Sequence, residues 1–337
     1  MRATVRDVAS LAGVSPKTVS NVINGVIPVR PGTRERVESA LKQLDYVPNF
    51  SARGLRNGRT GVIALALPDL STAYSAELAR WFVELAHDRG WAVQIEQTGA
   101  SAERERDLIS RARTHLVDGL VLNPTRLRGS GVEDDHGPLP PTVVIGEVEP
   151  RGVDQVHVDS VGAAREMTEH LLGLGHRRIA IVGASDETFQ SASSELRQEG
   201  YEQALAAAGI APEQALRVAA IEWTSSAAAD AFARFLETNA LPDAVFCFTD
   251  SMALGVLSVL AAAGIDVPGR VSVTGFDDIQ DAAFVVPALT SVSFDKRAIA
   301  LAALTALERR IEDTAVEREV VVVPHRIVVR ASSGPRA

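Results

Sequence analysis

The chain has one cysteine and no long apolar run, and these two shortages exclude disulfides, cysteine metal clusters and a membrane-spanning segment. Its single cysteine, Cys247, lies in an apolar segment, so neither an intramolecular disulfide nor a cysteine metal cluster can form. No stretch of about 18 residues is continuously apolar, and the first residues are charged instead of forming the apolar core of a signal peptide. We therefore expect a cytoplasmic protein that has no membrane partner.

What the sequence does contain indicates a folded protein with an uneven distribution of charge. It has 337 residues, of which 46% are hydrophobic and 23% charged, which excludes general disorder. The net charge is −9, but residues 1–59 carry ten basic and four acidic side chains, whereas residues 60–337 carry 24 and 39. A basic segment of +6 joined to an acidic one of −15 predicts a polyanion-binding module attached to a larger domain with another task.

The basic segment has the pattern of three short helices. A capping box at Thr4 begins the first, and Gly13 ends it. Ser15 followed by Pro16 begins the second, because serine is a good N-cap and proline a good first helical residue. Apolar residues at helical spacing predict a third helix over residues 33–44.

From residue 61 onward, short β-rich runs alternate with helical stretches, which is typical of parallel α/β sheets. The predicted strands are 62–67, 91–95, 119–123, 142–146, 178–183, 216–221, 244–248 and 271–275. The predicted helices include 76–89, 102–115, 161–173, 195–208, 226–238 and 251–263. A break near residues 155–162 indicates two doubly wound lobes around a cleft, where ligands bind beyond the carboxyl ends of the strands.

Several segments resemble the LacI/GalR family of repressors, and the resemblance spans nearly the whole chain. They are residues 4–25, 33–37, 46–49, 173–180, 275–278 and 287–292. The resemblance implies an α/β protein with a helix-turn-helix DNA-binding head at 1–48, a hinge helix at 49–59 and a two-lobed, periplasmic-binding-protein-like core at 60–330. It implies a first lobe of 60–159 plus 291–319, a second lobe of 160–290 plus 320–330, and a tail of 331–337.

The second helix of a helix-turn-helix enters the major groove, so we assign its outward residues to DNA. Lys17 can donate to guanine O6 and N7, and Asn21 can pair with adenine or reach a phosphate. Arg30 either contacts a phosphate or is a solvated surface charge. The other residues assigned to the DNA interface are Thr4, Ser15, Pro16, Thr18, Ser20 and Asn24. The alternative for each of them is an ordinary polar surface position.

Residues 51–56 resemble the family's hinge helix, which forms on operator DNA and lies in the minor groove. Leu55 matches the residue that wedges between base steps, and Ala52, Arg53 and Arg56 complete the assigned contacts. An apolar wedge unstacks and kinks the duplex, and the flanking cations meet the phosphates. Without the resemblance, packing of Leu55 on the core would be favoured.

Polar residues at the ends of predicted strands favour a carbohydrate or another small polar ligand. Asp250 and Asp277 each end a strand, and carboxylates accept hydroxyl hydrogen bonds well. The remaining assigned ligand residues are Asn123 and Glu147, which follow strands, and Tyr74, Arg197 and Trp223, which match cleft positions of the family. Structural alternatives stay open, namely helix capping for the two aspartates, core packing for the two aromatic residues and a solvated loop charge for Glu147.

No catalytic constellation is recognisable in the sequence. The G-x-S-x-G, H-E-x-x-H and Walker patterns are absent, and the seven histidines show no ligand spacing. We therefore expect neither an enzyme nor a bound cofactor or metal. The leading hypothesis is a repressor, homodimeric or tetrameric, that a small sugar-like effector releases from a palindromic operator. The nearest alternative is a corepressor-dependent regulator, and a solute-binding protein or a sugar-processing enzyme fits less well.

The hinge segment generates a prediction through Gly54, which neighbours Leu55. If the hinge becomes helical only on DNA, Gly54→Ala removes roughly 1 kcal/mol of ordering cost in each of two chains. Operator binding should then tighten by about 30-fold, as measured by fluorescence anisotropy. Equal affinities would mean a hinge that is helical without DNA, and weaker binding would mean that glycine is needed for close approach to the groove.

Overall fold

The computed structural model describes residues 3–24, 28–46, 59–99, 101–114, 116–126, 128–132, 139–149, 152–185, 191–213, 216–220 and 222–336. The chain divides into two compact units, Met1–Thr60 and Gly61–Ala337. Within the described ranges, no helix has the length and apolar character needed to span a membrane.

The first unit, here called the head, contains three helices. They are α1 (Val5–Ala12), α2 (Pro16–Asn24) and α3 (Pro31–Gln43). One apolar residue from each helix, Val8, Val19 and Val37, is completely buried in the centre of the head. The third helix begins two residues before its predicted start because Pro31 occupies its first turn, where the fixed φ of proline suits a helix.

Local capping sets the turn between α1 and α2. Gly13 adopts a left-handed conformation at φ +62° and ends α1, which few other residues could do without strain. The Ser15 hydroxyl accepts from the Thr18 amide at 3.1 Å and begins α2. The turn therefore depends on glycine and serine side-chain chemistry that the sequence shows directly.

The second unit, here called the core, starts with a lobe of alternating strands and helices. Its elements are β1 (Val62–Leu67), α4 (Ala73–Asp88), β2 (Ala92–Gln97), α5 (Ala102–Arg113), β3 (Gly119–Leu122), β4 (Thr142–Ile145) and β5 (Asp154–Val158). The second lobe begins with α6 (Ser160–Gly173), β6 (Ile179–Ala184), α7 (Ala192–Ala207), β7 (Arg217–Ala219) and α8 (Ser225–Thr238). It continues with β8 (Ala244–Cys247), α9 (Asp250–Ala262), β9 (Ser272–Phe276), a 3₁₀ turn (Gln280–Ala283) and β10 (Thr290–Phe294).

The chain then returns to the first lobe through α10 (Lys296–Glu312) and β11 (Val320–Val323), and ends in the second lobe with β12 (His325–Val328). The described residues form two six-stranded sheets, ordered β11-β5-β4-β3-β1-β2 and β12-β10-β9-β8-β6-β7. Every pairing is parallel except that of β10 with β12. The predicted α/β architecture with two lobes of parallel sheet is confirmed.

The later crossings between lobes differ from the predicted boundaries. β10 pairs with β9 in the second lobe and β11 pairs with β5 in the first, so both crossings fall about four residues beyond the predicted positions 291 and 320. Short β-branched strands do not reveal their pairing partner in their own sequence.

Residues 331–336, predicted as a tail, are hydrogen-bonded into the second lobe. The Val273 amide donates to the Ser332 carbonyl at 2.8 Å, and the Thr290 amide donates to the Ser332 hydroxyl at 2.8 Å. Ser332 is completely buried. The segment therefore completes this lobe instead of leaving it.

Two glycines allow the helices of the second lobe to pack closely. A Cβ atom at Gly200 on α7 would lie 2.2 Å from the Val161 carbonyl oxygen of α6, and one at Gly255 on α9 would lie 2.1 Å from the Ser225 carbonyl oxygen of α8. No real Cβ could occupy either position, so both helix pairs require glycine at the contact.

A buried ion pair joins the end of α10 to the start of β5. Both carboxylate oxygens of Asp154 are satisfied, because Oδ2 accepts from Nε and Nη2 of Arg310 at 2.9 and 2.8 Å, and Oδ1 accepts from the Glu319 amide at 2.9 Å. Arg310 also donates to the Thr314 and Val316 carbonyl oxygens. This bonding keeps the returning segment on the first lobe.

Candidate nucleic-acid interface and ligand cavity

The second helix of the head exposes polar side chains on one face. Its exposed or partly exposed residues include Pro16, Lys17, Thr18, Ser20 and Asn21. Val19 and Val22 are buried on the opposite face and hold α2 against the other helices. The exposed ammonium of Lys17 and the partly exposed amide of Asn21, on adjacent turns of one helix, can contact base edges in a major groove.

Two residues assigned to DNA also have structural tasks. The Thr4 hydroxyl donates to the Asp7 carboxylate at 2.7 Å, and the hydrogen bonds between the two residues lower the pKa of that carboxyl. Ser15 caps α2. Arg30 precedes α3, is exposed and makes no side-chain cap hydrogen bond. Asn24 lies in the last turn of α2.

The predicted hinge residues Ala52, Arg53, Leu55 and Arg56 lie outside the described residues. Their assignment to the minor groove stays a prediction.

A cavity of about 660 Å³ lies where strands of both core sheets end at their carboxyl edges. Residues that follow the strands line it from both lobes. Six of the seven predicted ligand residues are among them, namely Tyr74, Asn123, Glu147, Arg197, Trp223 and Asp277. The fold therefore brings together side chains that are up to about 200 positions apart in sequence.

The centre of the cavity is a buried guanidinium. Arg197, on α7, is 7% exposed and lies flat against Phe276, with its guanidinium carbon 3.5 Å from the ring centroid. One of its amino groups donates to the Phe248 carbonyl oxygen. Its Nη2 is 4.0 Å from Asp277 Oδ1, beyond hydrogen-bond distance, and its Nε has no hydrogen-bond partner among the described residues. These donors can bind a polar ligand.

Asp277 faces this guanidinium from a constrained loop. It follows β9 at φ +110°, a conformation that is strained for a residue with a side chain. Burial raises its pKa from 3.8 to about 6, opposed by the positive charges of Arg197 and Lys296. Burial likewise lowers the pKa of Arg197, opposed chiefly by Asp277. The charged pair lies in a desolvated environment without a close hydrogen bond between the partners.

Aromatic faces border the charged pair. Tyr74, on α4, packs edge-on against Phe294 with ring centroids 6.2 Å apart, and burial together with Asp277 raises its pKa. The Trp223 ring centroid lies 5.7 Å from the Arg197 guanidinium carbon, and its indole Nε1 has no hydrogen-bond partner in the described structure. Both residues line the cavity and also touch the core, so packing and ligand stacking are compatible.

Polar groups of the first lobe form the facing wall. Asn123 donates from its amide to the Ile145 carbonyl oxygen at 2.6 Å, which joins the ends of β3 and β4. Glu147 Oε1 is 3.2 Å from His157 Nδ1, so this carboxylate belongs to a side-chain pair at the cavity wall.

Asp250 is not among the cavity-lining residues. It is completely buried at the start of α9, its Oδ1 accepts from the Ser291 hydroxyl at 2.6 Å, and its Oδ2 accepts from the Ile279 amide at 2.8 Å. Burial and the Asp277 charge raise its pKa. The N-cap of α9 is Thr249, so Asp250 holds the loop that follows β9.

Several lining residues had no prediction. His157 is the penultimate residue of β5, a strand that the apolar pattern did not indicate because Asp154 and Gln155 at its start are polar. Others are hydroxyl residues at turns from strand to helix, including Ser191, Thr224 and Thr249, and two are the carboxylates Asp69 and Glu222. Ser191, Thr224 and Thr249 are all helix N-caps, and a hydroxyl residue that precedes a predicted helix is a capping signal that could have found them.

The chain matches known proteins in both units. Residues 4–49 match the model of bacterial regulatory proteins of the lacI family, and residues 168–333 match a periplasmic binding protein-like domain. Catabolite control protein A of Priestia megaterium is 31% identical over 99% of this chain and 100% of its own. The HTH-type transcriptional repressor PurR of Vibrio campbellii is 32% identical over 97% and 98%, respectively.

Two solved structures extend the similarity to three dimensions. A complex of the transcriptional regulator CelR with cellobiose is 30% identical, covers 98% of this chain and 100% of that one, and has a TM-score of 0.72. The lac repressor dimer bound to operator and the anti-inducer ONPF is 25% identical, covers 99% and 100%, and has a TM-score of 0.85.

The Asp277 pKa predicts a loss of stability as pH rises from about 4 to 6. The pKa of Asp277 is about 6 in the folded protein and 3.8 for an ordinary carboxyl, so the native state binds this proton more tightly than the unfolded state does. The stability that the proton contributes is complete below pH 3.8 and is lost as the pH rises through about 6. The shift corresponds to about 3 kcal/mol. In urea titrations at several pH values, the unfolding free energy of the wild type minus that of Asp277→Asn should fall by about that amount as the pH rises.

The exposed neighbour Asp281 provides the matched control. Asp281→Asn should follow the wild-type pH dependence. Parallel curves for wild type and Asp277→Asn would show that this carboxyl is not the titrating group.

Proposed function

The chain belongs to the LacI family of bacterial regulatory proteins, and on that premise we propose that it is a cytoplasmic, non-enzymatic repressor that releases a palindromic operator when a small uncharged sugar binds its core. The observation that carries the proposal is the presence, in one chain, of a basic helix-turn-helix and a desolvated cavity between two lobes. DNA binding and a small-molecule effector are properties of the family's repressors.

The head supports a major-groove contact through α2. Lys17 and Asn21 occupy the solvent side of a helix whose apolar side is buried. The surrounding positive charge attracts phosphates and makes binding depend on salt. Thr18 and Ser20 then supply phosphate contacts that fix the register of the helix.

The charges of the cavity favour a ligand without phosphate or carboxylate groups. Among the described residues, four carboxylates line it, from Asp69, Glu147, Glu222 and Asp277, against one guanidinium, that of Arg197. Like charges repel, so an anionic ligand would add to this excess of negative charge. Hydroxyl groups can donate to the carboxylates and accept from the guanidinium.

The aromatic walls support a sugar over a smaller polyol. Tyr74 and Trp223 offer ring faces that suit the apolar face of a sugar ring. A cavity of about 660 Å³ has room for more than one ring. The similar regulator CelR binds cellobiose, which makes neutral disaccharides the first class to test.

Exposed apolar residues on both lobes support a homodimer. Leu70, Val83 and Ile95 are exposed on the first lobe, and Ile95 lies on the sheet-edge strand β2. On the second lobe, Phe284 and Val286 are 77% and 95% exposed. Apolar surface of this kind favours association, and a twofold dimer presents two heads to a palindrome. The lac repressor dimer bound to operator is the corresponding assembly in a similar protein.

The alternative to release of the operator by ligand is corepression. If the closed core holds the heads in the spacing that DNA requires, ligand would tighten operator binding and act as a corepressor. A titration of ligand into the protein–operator complex distinguishes the two, because an inducer lowers the bound fraction and a corepressor raises it.

Selection from random duplexes at moderate salt should enrich a palindrome, and Lys17 should read one of its bases. Lys17→Ala should weaken binding by roughly 5- to 150-fold for each head and relax the preference at one position of each half-site, because a base contact contributes about 1–3 kcal/mol. The measurement is anisotropy on the selected operator and on its single-base variants.

Lys42 gives a matched control, because it carries the same charge on α3 and is also exposed. Lys42→Ala should change affinity only a few-fold and leave the base preference intact. If both variants lose affinity equally and neither changes preference, Lys17 contributes charge alone and does not read DNA.

A thermal-shift panel compares neutral mono- and disaccharides, each paired with its phosphate ester. Only the neutral sugars should stabilise the protein. Arg197→Ala should weaken the best hit by roughly 10- to 150-fold, since charged hydrogen bonds contribute about 1.5–3 kcal/mol. Operator binding in the absence of ligand should be retained. Exposed Arg165, mutated to alanine, is the control. Stabilisation by phosphate esters alone would refute the neutral ligand class.

A further inference from the structure

One loop of the second lobe connects the cavity to the first lobe. This loop, residues 277–280, starts with Asp277, which faces the ligand space. Asp277 and Asp278 both adopt left-handed backbone conformations, at φ +110° and +48°. Two consecutive strained residues need support from their surroundings. Part of it comes from their own lobe, where Arg330 pairs with Asp278 Oδ1 at 2.6 Å. Ser291 and Asp250 of the same lobe accept from the Asp278 and Ile279 amides.

Support from the opposite lobe comes from Lys296 at the start of α10. Its ammonium, 7% exposed, donates to the backbone oxygens of Asp277 and Asp278 at 2.5 and 3.1 Å. It also lies 3.2 Å from Glu77 Oε2 on α4. A lysine has three N–H donors, and these three acceptors use all of them. The buried charge is therefore fully compensated, but only while the loop and α4 are both in place.

Glu77 completes a closed set of contacts across the lobes. Its Oε1 accepts from the Gln280 backbone amide at 2.7 Å. Glu77 and Lys296 belong to helices packed in the core of the first lobe, where Leu78, Ile299 and Ala300 are buried together. The loop belongs to the second lobe. The two side chains thus bind both ends of the loop from the opposite lobe.

We propose that Lys296 and Glu77 are positioning residues that form a clasp between the lobes, setting the place of the Asp277 carboxylate and the closed arrangement of the cavity at once. If the lobes separate, Lys296 loses its two acceptors in the loop and keeps only Glu77, and the Gln280 amide loses its acceptor. If the loop moves, the Asp277 carboxylate moves with it. A ligand that binds Asp277 would therefore favour the closed arrangement through contacts that it does not itself touch.

The test measures the distance between the lobes without any ligand. Cys247 is completely buried, so Thr114→Cys on the first lobe and Ala208→Cys on the second can be spin-labelled selectively in the full chain. Labelled protein is mixed with excess unlabelled protein, so that each measured pair lies within one chain. Lys296→Met, which removes two hydrogen bonds between the lobes, should raise the ratio of long to short distances by roughly tenfold. Glu77→Gln, which keeps the acceptor for Gln280 but removes its charge, should raise the ratio by a smaller factor of about three.

The double variant should open the lobes no further than Lys296→Met alone, because both changes break one set of contacts. Glu77→Gln keeps an acceptor for Gln280 and a similar size, so it remains informative if Lys296→Met fails to fold. Glu308→Gln is the matched control: Glu308 pairs with Arg89 at 3.3 Å between the same two helices, but within the first lobe alone. Its distances should equal those of the wild type.

Two outcomes would overturn the clasp. One is an unchanged distance distribution in folded Glu77→Gln and Lys296→Met, and the other is equal opening in Glu308→Gln. The role of Asp277 as a ligand contact rests on the proposed function, but the distances do not. A clasp without any sugar binding would therefore count against the proposed ligand alone, and sugar binding without lobe opening in the variants would count against the clasp alone.

Discussion

The cavity depends on the direction of the strands. In a parallel sheet every strand ends at the same edge, and the segments that follow the strands must meet there. Both core sheets are parallel apart from β12, so the carboxyl ends of the strands from each lobe supply the lining residues. Because the chain passes between the lobes after β5, β10 and β11, neither lobe can be completed by a continuous segment.

This arrangement buries charged side chains beside the cavity. Their desolvation lowers the stability of the folded protein and leaves polar groups that can bind a ligand. Asp250 and Asp277 both have raised pKa values because burial penalises their charged forms, and the charge of Asp277 further raises the pKa of Asp250. Asp250 is compensated by Ser291 and Ile279, whereas Arg197 and Asp277 remain beyond hydrogen-bond distance of each other. Arg197 and Asp277 line the cavity and Asp250 does not, so the carboxyl with two close hydrogen-bond donors supports the loop and the charged pair is left facing the cavity.

Local sequence patterns predict much of the fold and of the candidate site. Helix caps, strand runs and the charge division indicate the head, the parallel sheets and the cleft, and residues at strand ends such as Asn123 and Asp277 follow from topology. The features that were not predicted depend on residues that are distant in the sequence. The lobe that receives β10 or β11 is decided by pairing, and Asp250 has the same position at a strand end as Asp277 but finds Ser291 41 residues away. His157 was missed because β5 includes buried polar residues, Asp154 and Gln155, whose burial only tertiary hydrogen bonds permit.

Under the proposed function, the pair of Arg197 and Asp277 and the loop beside it would let a neutral ligand act strongly. A hydroxyl that donates to Asp277 stabilises its charged form and offsets a desolvation penalty that the protein already bears. The same hydroxyl can accept from Arg197, whose Nε has no partner in the described structure. The gain is therefore larger than for groups that were solvated before binding. Because Asp277 lies in the loop held from the first lobe by Lys296 and Glu77, that gain is available only in the arrangement that keeps the loop in place.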